Sequence, residues 1–379
     1  MKIITWVSLV LLTAGCGSQT IPAEYIYVGT AGNQEDSGLY VFGFDRENNE
    51  LNPIQTIDDH SGPNFQALHP DGTFLYSVSG EAFSDDDESG TLTAYRIDQN
   101  TGKLSMVNEQ SAEGRGPCHV SVDPLGRFVY VSNYSSGNLS VYAINGDGTL
   151  EPAADRVQHE GSSIHASRQK GPYMHSIIPS ADGKFIYASD LGMDKVMIYT
   201  VNRTSGKLAP ADIPYAENTP GSGPRHFVIH PGGRFAYSVE ELSSTVAAFK
   251  MDPSNGSLEA IQRIPMLPED FEGANTAADI HISPDGKFLY ASNRGHDSLV
   301  IYSIEASTGR LSLVGHEPSR GRHPRNFAVD KKGDLIFISN RDDDNVVVFN
   351  RDKITGLLSF SGLEINVPSA ICVTQLILE

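Results

Sequence analysis

Three periodicities running the length of the chain predict an all-β fold, a seven-bladed β-propeller with four antiparallel strands per blade and a first blade closed by the C-terminal strand. Turn glycines recur at Gly72, Gly126, Gly183, Gly233, Gly286 and Gly333, spaced by 54, 57, 50, 53 and 47 residues. Leucines that open an outer strand recur at Leu51, Leu104, Leu150, Leu208, Leu258, Leu311 and Leu358. An aromatic recurs at one place in the second strand, at Tyr76, Tyr130, Tyr187, Tyr237, Tyr290 and Phe337, where it can fill the space between adjacent sheets.

The unit is clearest over residues 281–314, HISPDGKFLYASNRGHDSLVIYSIEASTGRLSLV. A short first strand ends at a Pro-Asp-Gly turn, and the second alternates around its aromatic. The third has the form Val-x-x-Tyr, and Thr-Gly-x-Leu opens the fourth. Six turn glycines against seven leucines leave one first strand missing. Residues 25–29 read as a second strand with nothing before it, so residues 370–376 are expected to supply the first. That closure joins both chain ends and removes the open edges of a linear array.

A length of 379 residues would by itself suggest two or three domains, but the repeat makes residues 25–379 a single one. The 36 glycines and 21 prolines are spread along the chain, as many short strands require. With 47 acidic against 28 basic residues the net charge is −19, a field that repels nucleic acid and anionic lipid. A small anion remains a fitting ligand, because it responds to a local arginine cluster.

Lys2, an apolar run over residues 3–12 and then Leu12-Thr13-Ala14-Gly15-Cys16 form an export signal too short to span a bilayer. Small residues directly before Cys16 resemble a bacterial lipobox. Residues 1–15 are therefore expected to be a lipoprotein signal peptide, Cys16 the lipidated first residue of the mature protein and 16–24 a linker. The expected location is the periplasm or cell envelope, with the lipid as the protein's contact with the membrane. Cys118 and Cys372 fall in non-neighbouring repeats and are expected to be small buried hydrophobes without a bridge. The runs Asp85-Asp86-Asp87-Glu88 and Asp342-Asp343-Asp344 are expected to be solvated loops.

The repeat also predicts where chemistry sits. The start of each first strand and the end of each second lie side by side, opposite the glycine turn, and in a propeller these positions converge on one mouth of the central channel. They hold His119, His175, Arg225, His226, Asp279, Arg325 and Asn326, with Asn133, Asp190, Glu240, Glu241, Asn293, Arg294, Asn340 and Arg341. A polar lining can simply solvate a channel. Unpaired buried charge, however, costs several kcal/mol (about 3–5 for one broken pair), which argues for use.

Four stretches of that mouth carry a family resemblance. Gly223-Pro224-Arg225-His226, residues 238–245 (SVEELSST), Ser292-Asn293-Arg294-Gly295-His296-Asp297 and Asp190-Leu191-Gly192-Met193-Asp194 together resemble the propeller lactonases, over residue 25 to the C-terminus. That family holds bacterial propeller-type 6-phosphogluconolactonases and fungal carboxy-muconate lactonising enzymes. The resemblance implies catalytic roles for His175, Arg225, Glu241 and Arg294, and substrate contacts from His119, Asn133, Asp190, His226, Asn293 and Arg325. Tyr173 stands where many of the family carry a second histidine. The implied reaction is opening of a sugar-acid lactone by water, with arginines stabilising the oxyanion and Glu241 or His175 as general base. No Gly-x-Ser-x-Gly motif is present to support an acyl-enzyme.

The expected ligand is a small, anionic lactone, with no cofactor and no metal, and the domain is expected to be a monomer. Because 6-phosphogluconolactone is a cytoplasmic metabolite, an exported member of the family would meet a different lactone. Two other readings stand beside this one: a non-catalytic envelope propeller binding a glycan or protein, and a metal-dependent hydrolase, against which the arginines count by repelling a cation.

Overall fold

The computed structural model describes residues 24–32, 36–59, 62–80 and 89–378. The signal segment, Cys16 and the run at residues 85–88 lie outside the described residues. Seven four-stranded antiparallel sheets form the blades. Blades 2 to 7 run in sequence order from first to fourth strand. Blade 1 takes its first strand from the C-terminus, with Ala370–Ile377 beside Glu24–Thr30, then Gly38–Asp45 and Glu50–Asp58. The closing register pairs Tyr25 with Leu376 and Val28 with Val373. First strands of neighbouring blades touch all the way round, so they line the channel.

One outer strand departs from expectation. In blade 3 Leu150 makes only an isolated bridge to Ile144, and the ladder resumes at Asp155–Gln158. Pro152, two residues on, has no amide to give to a ladder.

The repeating aromatics are buried between sheets as expected, and most carry a further job. The hydroxyls of Tyr27, Tyr76, Tyr187, Tyr237 and Tyr290 donate to the carbonyls of Gly102, Gly148, Gly256, Gly309 and Gly356, each on the next blade. These glycines lie in the turn before the outer strand with positive φ, and a Cβ on Gly309 would stand 2.4 Å from the Phe235 ring. At the joint from blade 7 to blade 1 the pattern breaks: Phe337 has no hydroxyl, and Asn49 takes the glycine's place at φ 54°. That joint is instead clasped by charge, with Arg46 2.8 Å from both Glu24 and Asp330, and Lys332 2.8 Å from Glu24.

Candidate active site

Every first strand breaks register once near its start. The breaks fall at Pro63/Phe65, Pro117/His119, Met174/Ser176, Pro224/Phe227, Ala277/Ile280 and Pro324/Asn326, and opposite Gly29/Thr30 in blade 1. A bulge leaves residues outside the ladder and re-aims their side chains. The residues released are Asn64, Cys118, His175, Arg225 with His226, Ala278 with Asp279, Arg325 and Ile371. The bulges thus explain how consecutive residues such as Arg225 and His226 both serve the channel, which strict alternation forbids.

Glu241 is the centre of the mouth. Its Oε2 stands 3.1 Å from Arg225 Nε, 3.0 Å from Arg294 Nη2 and 3.8 Å from His175 Nε2. Its Oε1 accepts a 2.5 Å hydrogen bond from Arg168. Arg225 and Arg294 are further fixed by donating to the carbonyls of Ala278 and Ala277, at 2.6 and 2.9 Å. The four expected catalytic residues are therefore in one cluster, drawn from blades 4, 5 and 6.

Burial pushes the Glu241 carboxyl up, but Arg294, Arg225 and Arg168 together outweigh it and hold it at about 2. Burial, reinforced by the cations Arg225 and Arg325, pushes the His175 imidazole well below its ordinary value, so it is neutral at pH 7. Arg225 falls to about 9 and Arg325 to about 10, through burial and mutual repulsion with Arg294. The mouth is crowded with cations and holds a neutral imidazole.

A second tier lies one residue further along the first strands. His226 Nδ1 meets Asp279 Oδ1 at 2.6 Å, and Asp279 Oδ2 accepts from Asn326 at 2.6 Å and meets His281 Nε2 at 2.9 Å. His226 is pushed down to about 4 by burial and Arg225, and its Nε2 has no partner among the described residues. His119 packs against His226 and stacks on Phe65. From this tier a cavity of about 570 Å³ opens between blades 4 and 5 towards the glycine turns, walled by Phe185, Tyr187, Phe227 and Met251. It is apolar and distinct from the arginine cluster.

Three expected substrate contacts are corrected. Asp190 Oδ1 accepts from the amides of Tyr173, Gly192 and Met193, and Oδ2 meets His159 at 2.9 Å. Asn293 donates to Met266 O and accepts from Asn275, and Asn133 donates to Ala112 O. All three are fully buried and hold loops, because the last second-strand residue paired with the third strand turns its side chain away from the channel. In blades 3, 5 and 6 the residue after it turns in: Tyr134, Glu241 and Arg294.

Cys118 corrects another expectation. It is half-buried with its Sγ 3.7 Å from His175 Nδ1, whereas Cys372 is buried as expected, and the two are unbridged. Burial raises the Cys118 thiol to about 11, so it is no nucleophile at neutral pH. Sequence reasoning missed Arg168, which lies in a connection outside the repeat. It also missed His323, held at φ 61° in blade 7 and pushed down by burial and by Arg294 and Arg341. Among the described residues no three His, Cys, Asp or Glu side chains are grouped to hold a metal ion.

A closed ring of seven blades whose one mouth gathers arginines around a carboxylate and a neutral imidazole defines a catalytic propeller rather than a scaffold. The chain belongs to the lactonase family of seven-bladed β-propellers, whose model matches residues 25–375. It is 38% identical over 302 residues to a 6-phosphogluconolactonase of Formosa agariphila, covering 78% of this chain and 83% of that protein. The 6-phosphogluconolactonase of Bacillus subtilis is 34% identical over 308 residues, covering 81% and 85%. Among solved structures, the periplasmic gluconolactonase of Pseudomonas aeruginosa superposes with a TM-score of 0.88 at 30% identity, covering 94% of this chain and 100% of that one.

Proposed function

We propose that the chain hydrolyses a sugar-acid lactone at the cell envelope. The observation that carries this reading is the Glu241 carboxylate held between Arg225 and Arg294, with the neutral His175 at 3.8 Å. Water adds to the ring carbonyl carbon while His175 takes its proton. The oxyanion that forms lies against Arg225 and Arg294, which are already fixed and need no reorganisation. Collapse breaks the ring C–O bond, and the imidazolium returns its proton to the leaving oxygen, giving a hydroxy acid. Glu241, with both oxygens engaged by arginines and its acidity so strong, is the counter-charge that sets these cations and steadies the imidazolium rather than the base. Arg325, His119 and His226 line the adjoining surface and contact the rest of the substrate.

A panel of lactones followed by acid release tests the reading; hydrolysis of none would return the propeller to a binding role. The base assignment carries a pH signature. Because His175 acts unprotonated and is held below its ordinary value, kcat/KM should stay flat down through pH 6.5 and fall only below it. An acid limb centred above 6.5 would count against His175.

Export is part of the proposal, supported by the likeness to a periplasmic gluconolactonase and by the lipobox-like residues before Cys16. Residues 1–15 are the signal, Cys16 the lipid anchor and 16–24 the tether. Cys16→Ala should release the protein from the membrane fraction or block its maturation. Normal processing with unchanged membrane association would refute the anchor.

A further inference from the structure

Residues 159–173 link blade 3 to blade 4 and carry Arg168 over the channel mouth. The connection is pinned at its start by His159, buried between Asp190 and the Tyr199 hydroxyl at 2.9 and 2.6 Å. Next to Arg168, Gln169 donates to Leu191 O and accepts from His165 N. The backbone is thus fixed, and the arginine side chain alone spans the gap to Glu241 Oε1 and the Tyr134 hydroxyl, at 2.5 and 3.3 Å.

Three observations separate Arg168 from its neighbours. Its side chain is 37% exposed, against 2% for Arg225 and 8% for Arg294, so it stands at the rim while they stand inside. Both of its contacts use Nη2; Nε and Nη1 have no partner among the described residues, leaving half of a guanidinium fork open. Three arginines, Arg168, Arg225 and Arg294, pair with the single carboxylate Glu241, and a fourth, Arg325, adds its field nearby, so the cations outnumber Glu241 and Asp279 together. A neutral ligand leaves that surplus uncompensated; an anion relieves it.

We propose that Arg168 is the specificity-determining residue of this site: an anionic substituent on the substrate takes it over from Glu241, so that the ring ester faces inward and the charged tail rests at the rim. Once Nη2 leaves Glu241, the Nε/Nη2 or Nη1/Nη2 edge is free, and carboxylate and phosphate both match such an edge bidentately. The stacked rings of Tyr134 and Tyr173, 4.9 Å apart, wall the rim beside that tail. Arg225 and Arg294 are excluded from this role by their depth and their bonds to backbone carbonyls. The inference rests on the lactonase reading for the word substrate, but capture of the anion stands apart from turnover.

The test compares wild type, Arg168→Gln and Arg168→Lys on δ-gluconolactone, on its 6-phosphate and on a glucaric acid lactone. These three carry a neutral, a phosphate and a carboxylate tail. Losing hydrogen bonds to a charged group corresponds to about a tenfold loss or more. The ratio of kcat/KM on the preferred anionic lactone to that on the neutral one should fall by about that factor in Arg168→Gln, mainly through KM, and recover partly in Arg168→Lys. Equal losses on neutral and anionic lactones, or no loss on either anionic one, would overturn the inference. Should wild type hydrolyse none of them, calorimetry with 6-phosphogluconate decides. Binding weakened in Arg168→Gln upholds the anion site while the lactonase reading falls, and binding that is absent or independent of Arg168 defeats both.

Discussion

Arg294→Ala should cut lactone hydrolysis by about a hundred- to a thousand-fold, the cost of removing one preorganised oxyanion donor. The loss should appear in kcat, since the contact strengthens as charge develops on oxygen. Arg225→Ala should be comparably damaging and also less stable, because Arg225 is deeply buried and its removal leaves Glu241 with fewer counter-charges. Arg341→Ala is the control. Arg341 occupies the place of Arg294 in blade 7, but it pairs with Asp342 at 2.7 Å on a more exposed surface, so its removal should be mild. Steady-state kinetics on a lactone the wild type opens, with thermal melting of each variant, separates chemistry from folding. Undiminished turnover in Arg294→Ala and Arg225→Ala would place the chemistry elsewhere.

Deleting residues 370–379 should prevent formation of a stable monomeric ring. The strand Ala370–Ile377 supplies the innermost ladder of blade 1, and Ile371, Cys372, Val373 and Leu376 are all buried. Val373 also donates to Asn326, which holds Asp279 in the second tier. Truncating one large buried side chain costs about 2–5 kcal/mol, and a whole domain is stable by about 5–15 kcal/mol. Loss of the strand therefore exceeds the margin and bares an unpaired edge. A truncated protein that stayed monomeric with an unchanged melting temperature would contradict this.

Fold and mouth differ in how far the amino acids reveal them. Gly72 to Gly333, the outer leucines and the buried tyrosines repeat because each blade solves the same packing problem, so one copy teaches the next. Closure by the C-terminal strand follows from counting them. The cluster of His175, Arg225, Glu241 and Arg294 was legible for a related reason: register carries Arg225, Glu241 and Arg294 to one end of their strands. Alternation read one residue too early misled at Asn133, Asp190 and Asn293, which tie loops. The bulges leave no mark in a hydrophobic pattern. Arg168 belongs to a connection that obeys no repeat, and only three-dimensional proximity to Glu241 shows its part.

The joint between blades 7 and 1 differs in kind from the five closed by a tyrosine hydroxyl. Most joints are riveted by a neutral hydroxyl reaching a glycine carbonyl, a bond indifferent to salt and to mild acid. This one is a latch of opposite charges: the Glu24 carboxyl, though raised by burial, is brought below its ordinary value by Arg46 and Lys332. A carboxylate so depressed lends its stability above its unfolded value, and that stability drains away as pH falls through the folded one. The latch therefore loosens in acid while the rivets hold. The ring has a built-in weak point between blade 7 and blade 1, beside the sheet in which the first and last strands of the chain must pair to finish folding.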